Sequence, residues 1–229
     1  MEQTSIKIIG RMHSDFPEKF GIPRQSGLVE TLESTIVFEP EYRNDDALRG
    51  LEAFSHLWII WQFSKAVRND WSPTVRPPRL GGNTRMGVFA TRSPFRPNHL
   101  GLSCVRILGL QHTEEYGTVI RVAGADLMDG TPIFDIKPYI PYCDSHPEAT
   151  GGFTDTASDF ILQVDIPAQE LSKFPDCKRN ALMELLSHDP RPSYQQDADR
   201  IYGLTFCGHN IRFKVCDTTL TVLDIQNQN

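Results

Sequence analysis

TVIRVAGADLMDGTPIFDIKPYI, residues 118–140, reads as two β-strands joined by a turn. Both arms are rich in β-branched and aromatic residues, and Asp129–Gly130 followed by Thr131–Pro132 carries turn chemistry between them. The turn places Asp126 and Asp129 in the loop between the strands. On the second arm Asp135, Lys137 and Tyr139 alternate and therefore share one face. A carboxylate, an ammonium and a phenol among Ile133, Phe134, Ile136 and Ile140 favour a site, because buried charge is costly unless paired. The bland alternative is an Asp135–Lys137 surface pair worth under about 1 kcal/mol.

Outward from this stretch the same strand character recurs. IKIIG, GLVETL, STIVFEP, FSHLWIIWQF, GVFATRS and LSCVRILGL are short runs bounded by Gly, Pro and Asn, and DDALRGLEAF reads as a single helix. Many strands with short turns and few helical periods predict a mainly β fold, an antiparallel barrel or sandwich. The linker-like PYCDSHPEATGGFTDTASD puts a boundary near residue 150 and predicts domains 1–150 and 151–229. Beyond it, DFILQVDIP reads as a strand and CKRNALMELLSHD as a helix ending at Pro190. IYGLTFCGHNIRFKV reads as a hairpin turning at Gly208–Asn210, with TLTVLDI as a last strand: a small α+β unit.

The chain has 229 residues and five cysteines without a CxxC pair, a pattern of free thiols in a reducing compartment. No basic-then-apolar leader and no run near the roughly 18 apolar residues of a membrane span are present, so a cytoplasmic protein is expected. There is no G-x-G-x-x-G, P-loop, GxSxG or HExxH motif. Cys143–Asp144–Ser145–His146 resembles a metal fragment superficially, but no second Cys/His pair stands at ligand spacing, and no metal is expected. His56 in FSHLW is read as a hydrogen-bonded core histidine.

The net charge of −6 argues against a generic basic nucleic-acid binder, but it is an average over two regions. Residues 71–113 hold no Asp or Glu and six arginines, Arg76, Arg79, Arg85, Arg92, Arg96 and Arg106; these 43 residues carry +6 and the other 186 carry −12. Within them RSPFRPNH is a proline-stiffened loop with two guanidiniums beside Phe95, suited to a carboxylate, a phosphate or a stacked base. A rigid turn with solvated arginines is the alternative.

Four segments, PRQSG, FSHLWIIWQF, RPPRLGGNTRMGVFATRSPFRPNHLG and ADLMDGTPIFDIKPYIPY, occur in an order and spacing that resemble the TsaA-like (TrmO) family, over roughly residues 5–147. HDPRPSY, residues 188–194, resembles the short motif of that family's C-terminal domain. The resemblance implies a single-sheeted β-barrel that binds S-adenosylmethionine near a homodimer interface and methylates N6 of threonylcarbamoyladenosine beside the anticodon of tRNA, with tRNA-Thr the expected substrate.

By the same resemblance, cofactor contacts fall on Pro23, Arg24, Gln25, Ser64, Lys65, Arg92, Leu102, Asp126, Leu127, Met128 and Asp129. The acceptor nitrogen is a weak nucleophile because its lone pair is delocalised, so a base or a polarising group is expected; Asp126, Lys137 and Tyr139 are the candidates. Phe95, Arg96 and Lys137 are expected to hold the RNA, with Lys137 or Arg96 on the threonyl carboxylate. Two other classes fit the residues: a non-catalytic RNA-binding module, and a small-molecule hydrolase using Asp126, Asp129 and Lys137.

Overall fold

The computed structural model describes residues 4–67, 70–80, 82–155, 161–191, 195 and 197–228. Gly81 of the arginine-rich stretch, part of the linker and residues 192–194 of HDPRPSY lie outside the described residues, as does the Arg79 side chain.

Eight strands come first: β1 Gly10–His13, β2 Glu33–Phe38, β3 His56–Gln62, β4 Thr74–Val75, β5 Met86–Gly87, β6 Leu100–Thr113, β7 Gly117–Ala123 and β8 Pro132–Pro138. Six of them pair antiparallel in the order β1-β2-β7-β6-β3-β8, and β8 returns to β1, closing the sheet on itself. Closure leaves no free edge among these strands. The inside is filled by Met12, Ile36, Leu57, Ile59, Trp61, Val105, Ile120, Val122, Leu127 and Ile133. Each such side chain contributes about 1.5–3 kcal/mol by leaving water. β7 and β8 are not neighbours in the sheet, so the loop of residues 124–131 crosses the end of the barrel and does not close a hairpin.

Strand β3 explains why a run as apolar as HLWIIWQ suits a barrel. Leu57, Ile59 and Trp61 point inward, while His56, Trp58, Ile60 and Gln62 alternate onto the outer face and are half-buried. Trp61 lies over Gly101, where an added Cβ would stand 2.3 Å from the indole, so glycine is required there. His56 accordingly lies outside the core and meets the Ser55 hydroxyl at 2.9 Å.

After α1 Pro141–Asp144, a second sheet forms from β9 Gln163–Asp165, β10 Tyr202–Phe206, β11 His209–Cys216 and β12 Thr219–Asn227, in the order β10-β11-β12-β9 with β9 parallel to β12. Helices α2 Ala168–Leu171 and α3 Arg179–Ser187 accompany it, and α3 buries Ala181, Leu182, Leu185 and Leu186. The second core also takes Phe16, Val29 and Leu32 from the β1–β2 connection. That connection is tied down further: the Glu184 carboxylate accepts the Glu30 and Thr31 N–H groups at 3.1 Å each. Lys178 pairs with Asp15 at 2.5 Å.

Several local expectations are corrected. DDALRGLEAF forms two 3-10 turns, Asp45–Leu48 and Leu51–Ala53, because Gly50 takes a left-handed φ of 88° between them. GLVETL forms no strand; its apolar residues serve the second core. GVFAT contributes little to a strand and continues as the 3-10 turn Val88–Ala90. The C-terminal hairpin turns at Cys207–Gly208, both with positive φ (51° and 71°), one residue earlier than expected.

Candidate active site

One cavity of about 1070 Å³ opens on the outer face of the barrel, at the upper end of small-molecule sites. Its floor is made by Trp58, Ile60 and Gln62 of β3 and by Leu100 and Leu102 of β6, where Ile60 pairs with Leu102 and Gln62 with Leu100 across the two strands. Leu102 is 56% exposed, a cost that an apolar ligand surface would remove. The walls come from residues 22–25, the 3-10 turn Ser64–Ala66 and the loop from Phe89 to Asn98. Asp126, Met128 and Thr131 of the crossing loop close one end.

The cavity draws together most of the residues singled out from sequence. Pro23, Arg24, Gln25, Ser64, Lys65, Arg92, Arg96, Leu102, Asp126 and Met128 all line it. Arg92 Nη1 donates to the Gln25 Oε1, and Gln25 Nε2 donates to the Arg24 carbonyl at 2.6 Å. Lys19, not foreseen, donates to the Lys65 carbonyl at 2.9 Å and fastens the Ser64–Ala66 turn.

The RSPFRPNH loop braces itself. Arg96 Nη1 donates to the Thr91 carbonyl at 3.0 Å, the Phe95 N–H to Ser93 Oγ at 3.2 Å, and the His99 carbonyl accepts the Phe63 N–H at 2.9 Å. Phe95 is half-buried and does not line the cavity.

Asp126 is the cavity residue whose ionisation the structure shifts. Burial pushes its carboxyl above the usual range, against the opposing effects of the Ser103 hydroxyl and the Arg92 charge. The Ser103 hydroxyl donates to Asp126 Oδ1 at 2.6 Å, and Trp61 Nε1 donates to the same Ser103 oxygen at 2.9 Å. Ser103 is 1% exposed, so this chain is held inside the barrel wall.

The remaining candidates lie elsewhere. Leu127 is buried in the core. Asp129 is exposed and accepts the Ser14 N–H at 3.0 Å, which fixes the crossing loop. Lys137, exposed, pairs with the half-buried Asp135 at 3.2 Å and stands opposite Trp58 in register. The Tyr139 ring packs 5.8 Å from Trp58. These four do not line the cavity.

Sequence reasoning missed Trp58, Ile60 and Gln62, although the period-2 alternation of β3 signals an outer face. It also missed Asp144, which accepts Trp58 Nε1 at 3.1 Å and the Ile140 N–H at 2.8 Å. Those two donors, the Ile140 N–H foremost, hold the Asp144 carboxyl below its ordinary range. Among the described residues no group of three His, Cys, Asp or Glu is arranged to hold a metal, and no helix is long and apolar enough to cross a membrane.

An apolar floor, a half-buried carboxylate and an arginine edge suit a flat, zwitterionic ligand with a positive centre and an anionic end. Comparison with known proteins agrees with this chemistry. The family model of the tRNA-methyltransferase O N-terminal domain matches residues 11–145, and that of the TrmO C-terminal domain matches residues 158–228. A tRNA (adenine(37)-N6)-methyltransferase of Escherichia coli (strain K12) is 37% identical over 234 residues, 99% of each chain. A putative S-adenosylmethionine-dependent methyltransferase of Pseudomonas aeruginosa, RcsF, is 39% identical over 207 residues, 87% of each. The crystal structure of TrmO from P. aeruginosa superposes with a TM-score of 0.80 at 31% identity, covering 99% of this chain and 98% of that one.

Proposed function

The chain belongs to the TrmO family, and on that premise we propose how its residues serve an S-adenosylmethionine-dependent tRNA adenine-N6-methyltransferase. The observation that carries the reading is a cavity that gathers Arg24, Gln25, Ser64, Lys65, Arg92, Leu102 and Asp126 from separate segments of the chain. These residues fit the cofactor. Trp58, Ile60 and Leu102 offer an apolar bed for its adenosine, Arg24 and Arg92 a cationic edge for its carboxylate, and Asp126 a counter-charge for its sulfonium.

When bound, S-adenosylmethionine supplies the electrophilic methyl group. The barrel's part is to hold donor and acceptor in line, which carries much of the rate in a displacement of this kind. As N6 acquires the methyl group and loses its proton, Asp126 accepts that proton, its raised pKa making it a better base than a solvated carboxylate. Of the three candidate bases it is the one that lines the cavity. Lys137, opposite Trp58 in register but outside the cavity lining, or Arg96, which lines it, takes the carboxylate of a threonylcarbamoyl group on the target adenine. On this reading the preferred substrate is threonylcarbamoyladenosine in tRNA-Thr, and the enzyme is cytoplasmic and acts as a homodimer. Residues 1–150 are the methyltransferase unit, and residues 151–229 assist with tRNA.

Two measurements test the reading. Calorimetry should show S-adenosylmethionine binding without RNA, which a bare RNA-binding module would not show. Labelled methyl transfer should be strong to tRNA bearing the threonylcarbamoyl group and at least about tenfold weaker to tRNA lacking it. Equal transfer to both overturns the substrate assignment, and Lys137→Ala with undiminished discrimination overturns the role of Lys137.

A further inference from the structure

Beside the cavity mouth, two large aromatic side chains stand in solvent. Phe89 is 72% exposed and Trp71 52% exposed, with ring centroids 6.0 Å apart and planes inclined by 30°. Leaving a Phe and a Trp in water forgoes the gain of burying their rings. The backbone nevertheless fixes the pair where it is. Val88 is buried and its N–H donates to the Pro73 carbonyl at 2.9 Å, so its neighbour Phe89 turns outward. On the other side the Ser72 hydroxyl donates to the Thr74 carbonyl at 2.8 Å, and the β4–β5 pairing joins Thr74 to Gly87 and Val75 to Met86.

The charge around the pair narrows its partner. Arg76, Arg85 and Arg92 are exposed on the same acid-free segment, and Phe89 itself lines the cavity. Cations around aromatic faces suit a polyanion that offers unstacked rings, which is single-stranded nucleic acid. A second copy of the chain fits less well. A two-fold contact centred here would set this arginine cluster against its own image, a like-charge arrangement that costs affinity.

We propose that Trp71 and Phe89 form the platform on which a base of the anticodon loop, next to the target adenine, stacks while the adenine enters the cavity. The proposal rests on the reading of the protein as a tRNA methyltransferase and assigns to Trp71 and Phe89 the stacking that the sequence suggested for Phe95.

The test uses the full chain, an anticodon stem-loop RNA and, as control, the same stem closed into a duplex without the loop. One stacked base is worth about 1–3 kcal/mol, or about 5- to 150-fold in affinity. Trp71→Ala should therefore weaken stem-loop binding by at least about fivefold. It should leave duplex binding and the calorimetric affinity for S-adenosylmethionine unchanged, and Trp71→Phe should restore most of the loss. Wild-type binding with equal affinity in Trp71→Ala overturns the platform alone. Failure of the wild type to bind the stem-loop overturns the tRNA reading beneath it. If Trp71→Ala instead converts a dimer to a monomer in sedimentation with RNA affinity unchanged, the patch is a contact between copies and the proposal is wrong.

Discussion

Arg24 Nη2, on the cavity wall, donates to the main-chain carbonyl of Arg191 at 3.0 Å and to that of Asp189 at 3.2 Å. A side chain of the barrel's first long connection is thus placed by the backbone of the C-terminal module. Its acceptors are carbonyl dipoles, which orient the guanidinium without neutralising it, so the positive charge remains for a ligand.

The turn that offers these carbonyls is held by a bidentate pair, Arg191 Nε and Nη2 to Asp189 Oδ1 and Oδ2 at 2.8 and 2.9 Å, with Asp189 at a positive φ of 48°. Asp189→Ala should release the turn and lower the melting temperature by about 4–8 °C, on the basis of about 2 kcal/mol for the lost charge-assisted pair. It should also weaken S-adenosylmethionine binding several-fold, although Asp189 does not line the cavity. Calorimetry reads both; unchanged cofactor affinity would mean that Arg24 is positioned without help from the C-terminal module.

Asp126 gives a prediction in pH. A carboxyl whose native pKa lies above its unfolded value holds its proton more tightly in the folded state. It therefore stabilises the fold at low pH and loses that contribution as pH rises from the ordinary aspartate value of 3.8 through the raised native one. At neutral pH the ionised, half-buried group is a net cost. Asp126→Asn should melt higher than wild type at pH 7.5, by about 3 °C for each kcal/mol relieved, and the gap should close below about pH 4. The same variant should lose methyl transfer. In the wild type, kcat/KM should climb with pH along a limb set above the usual carboxylate range. A variant less stable than wild type at neutral pH contradicts the burial argument.

How much of this was legible in the sequence follows from which signals are local. The strand character of residues 54–63 and 118–140 is written in β-branched residues and turn chemistry, and the cavity residues Arg24, Gln25, Arg92 and Asp126 stood out through the motifs around them. The crossing of residues 124–131 was not legible, since strand order depends on pairings distant in sequence. For the same reason the Val29 and Leu32 of GLVETL read as strand residues, when they belong to a core built mostly from residues more than a hundred positions away, Leu182 and Phe206 among them. Lys137 stood out by charge alternation, yet its partner Asp135 sits on the same exposed strand face, and periodicity cannot tell a site from a surface pair.

Ser103 links the barrel core to the site. Ser103→Ala removes the acceptor of the buried Trp61 Nε1, at a cost of about 1–3 kcal/mol. It also removes a hydrogen bond that favours the ionised form of Asp126, so the Asp126 pKa moves further up. The pH–rate limb should shift to more alkaline values, a change that loss of stability alone does not produce. Ser103→Thr keeps the hydroxyl and should bring the limb back; a limb at the same pH in all three proteins would mean that Asp126 is not the group titrating.

The acid-free segment sets the response to salt. Neutralising phosphates with exposed arginines releases counterions, with a slope of about −0.7 per contact on a logarithmic plot for single strands. If Arg76 and Arg85 each meet a phosphate, they alone should give the affinity for an anticodon stem-loop a slope of about −1.4 in this range. The rest of the chain carries −12 and repels RNA that does not fit the arginine face, so binding to an unrelated duplex should be weak even at low salt. Replacing Arg76 and Arg85 together by Ala should flatten the slope by about 1.4 while leaving calorimetric binding of S-adenosylmethionine intact, because neither residue lines the cavity. A double variant with the wild-type slope would place the RNA on another face of the barrel.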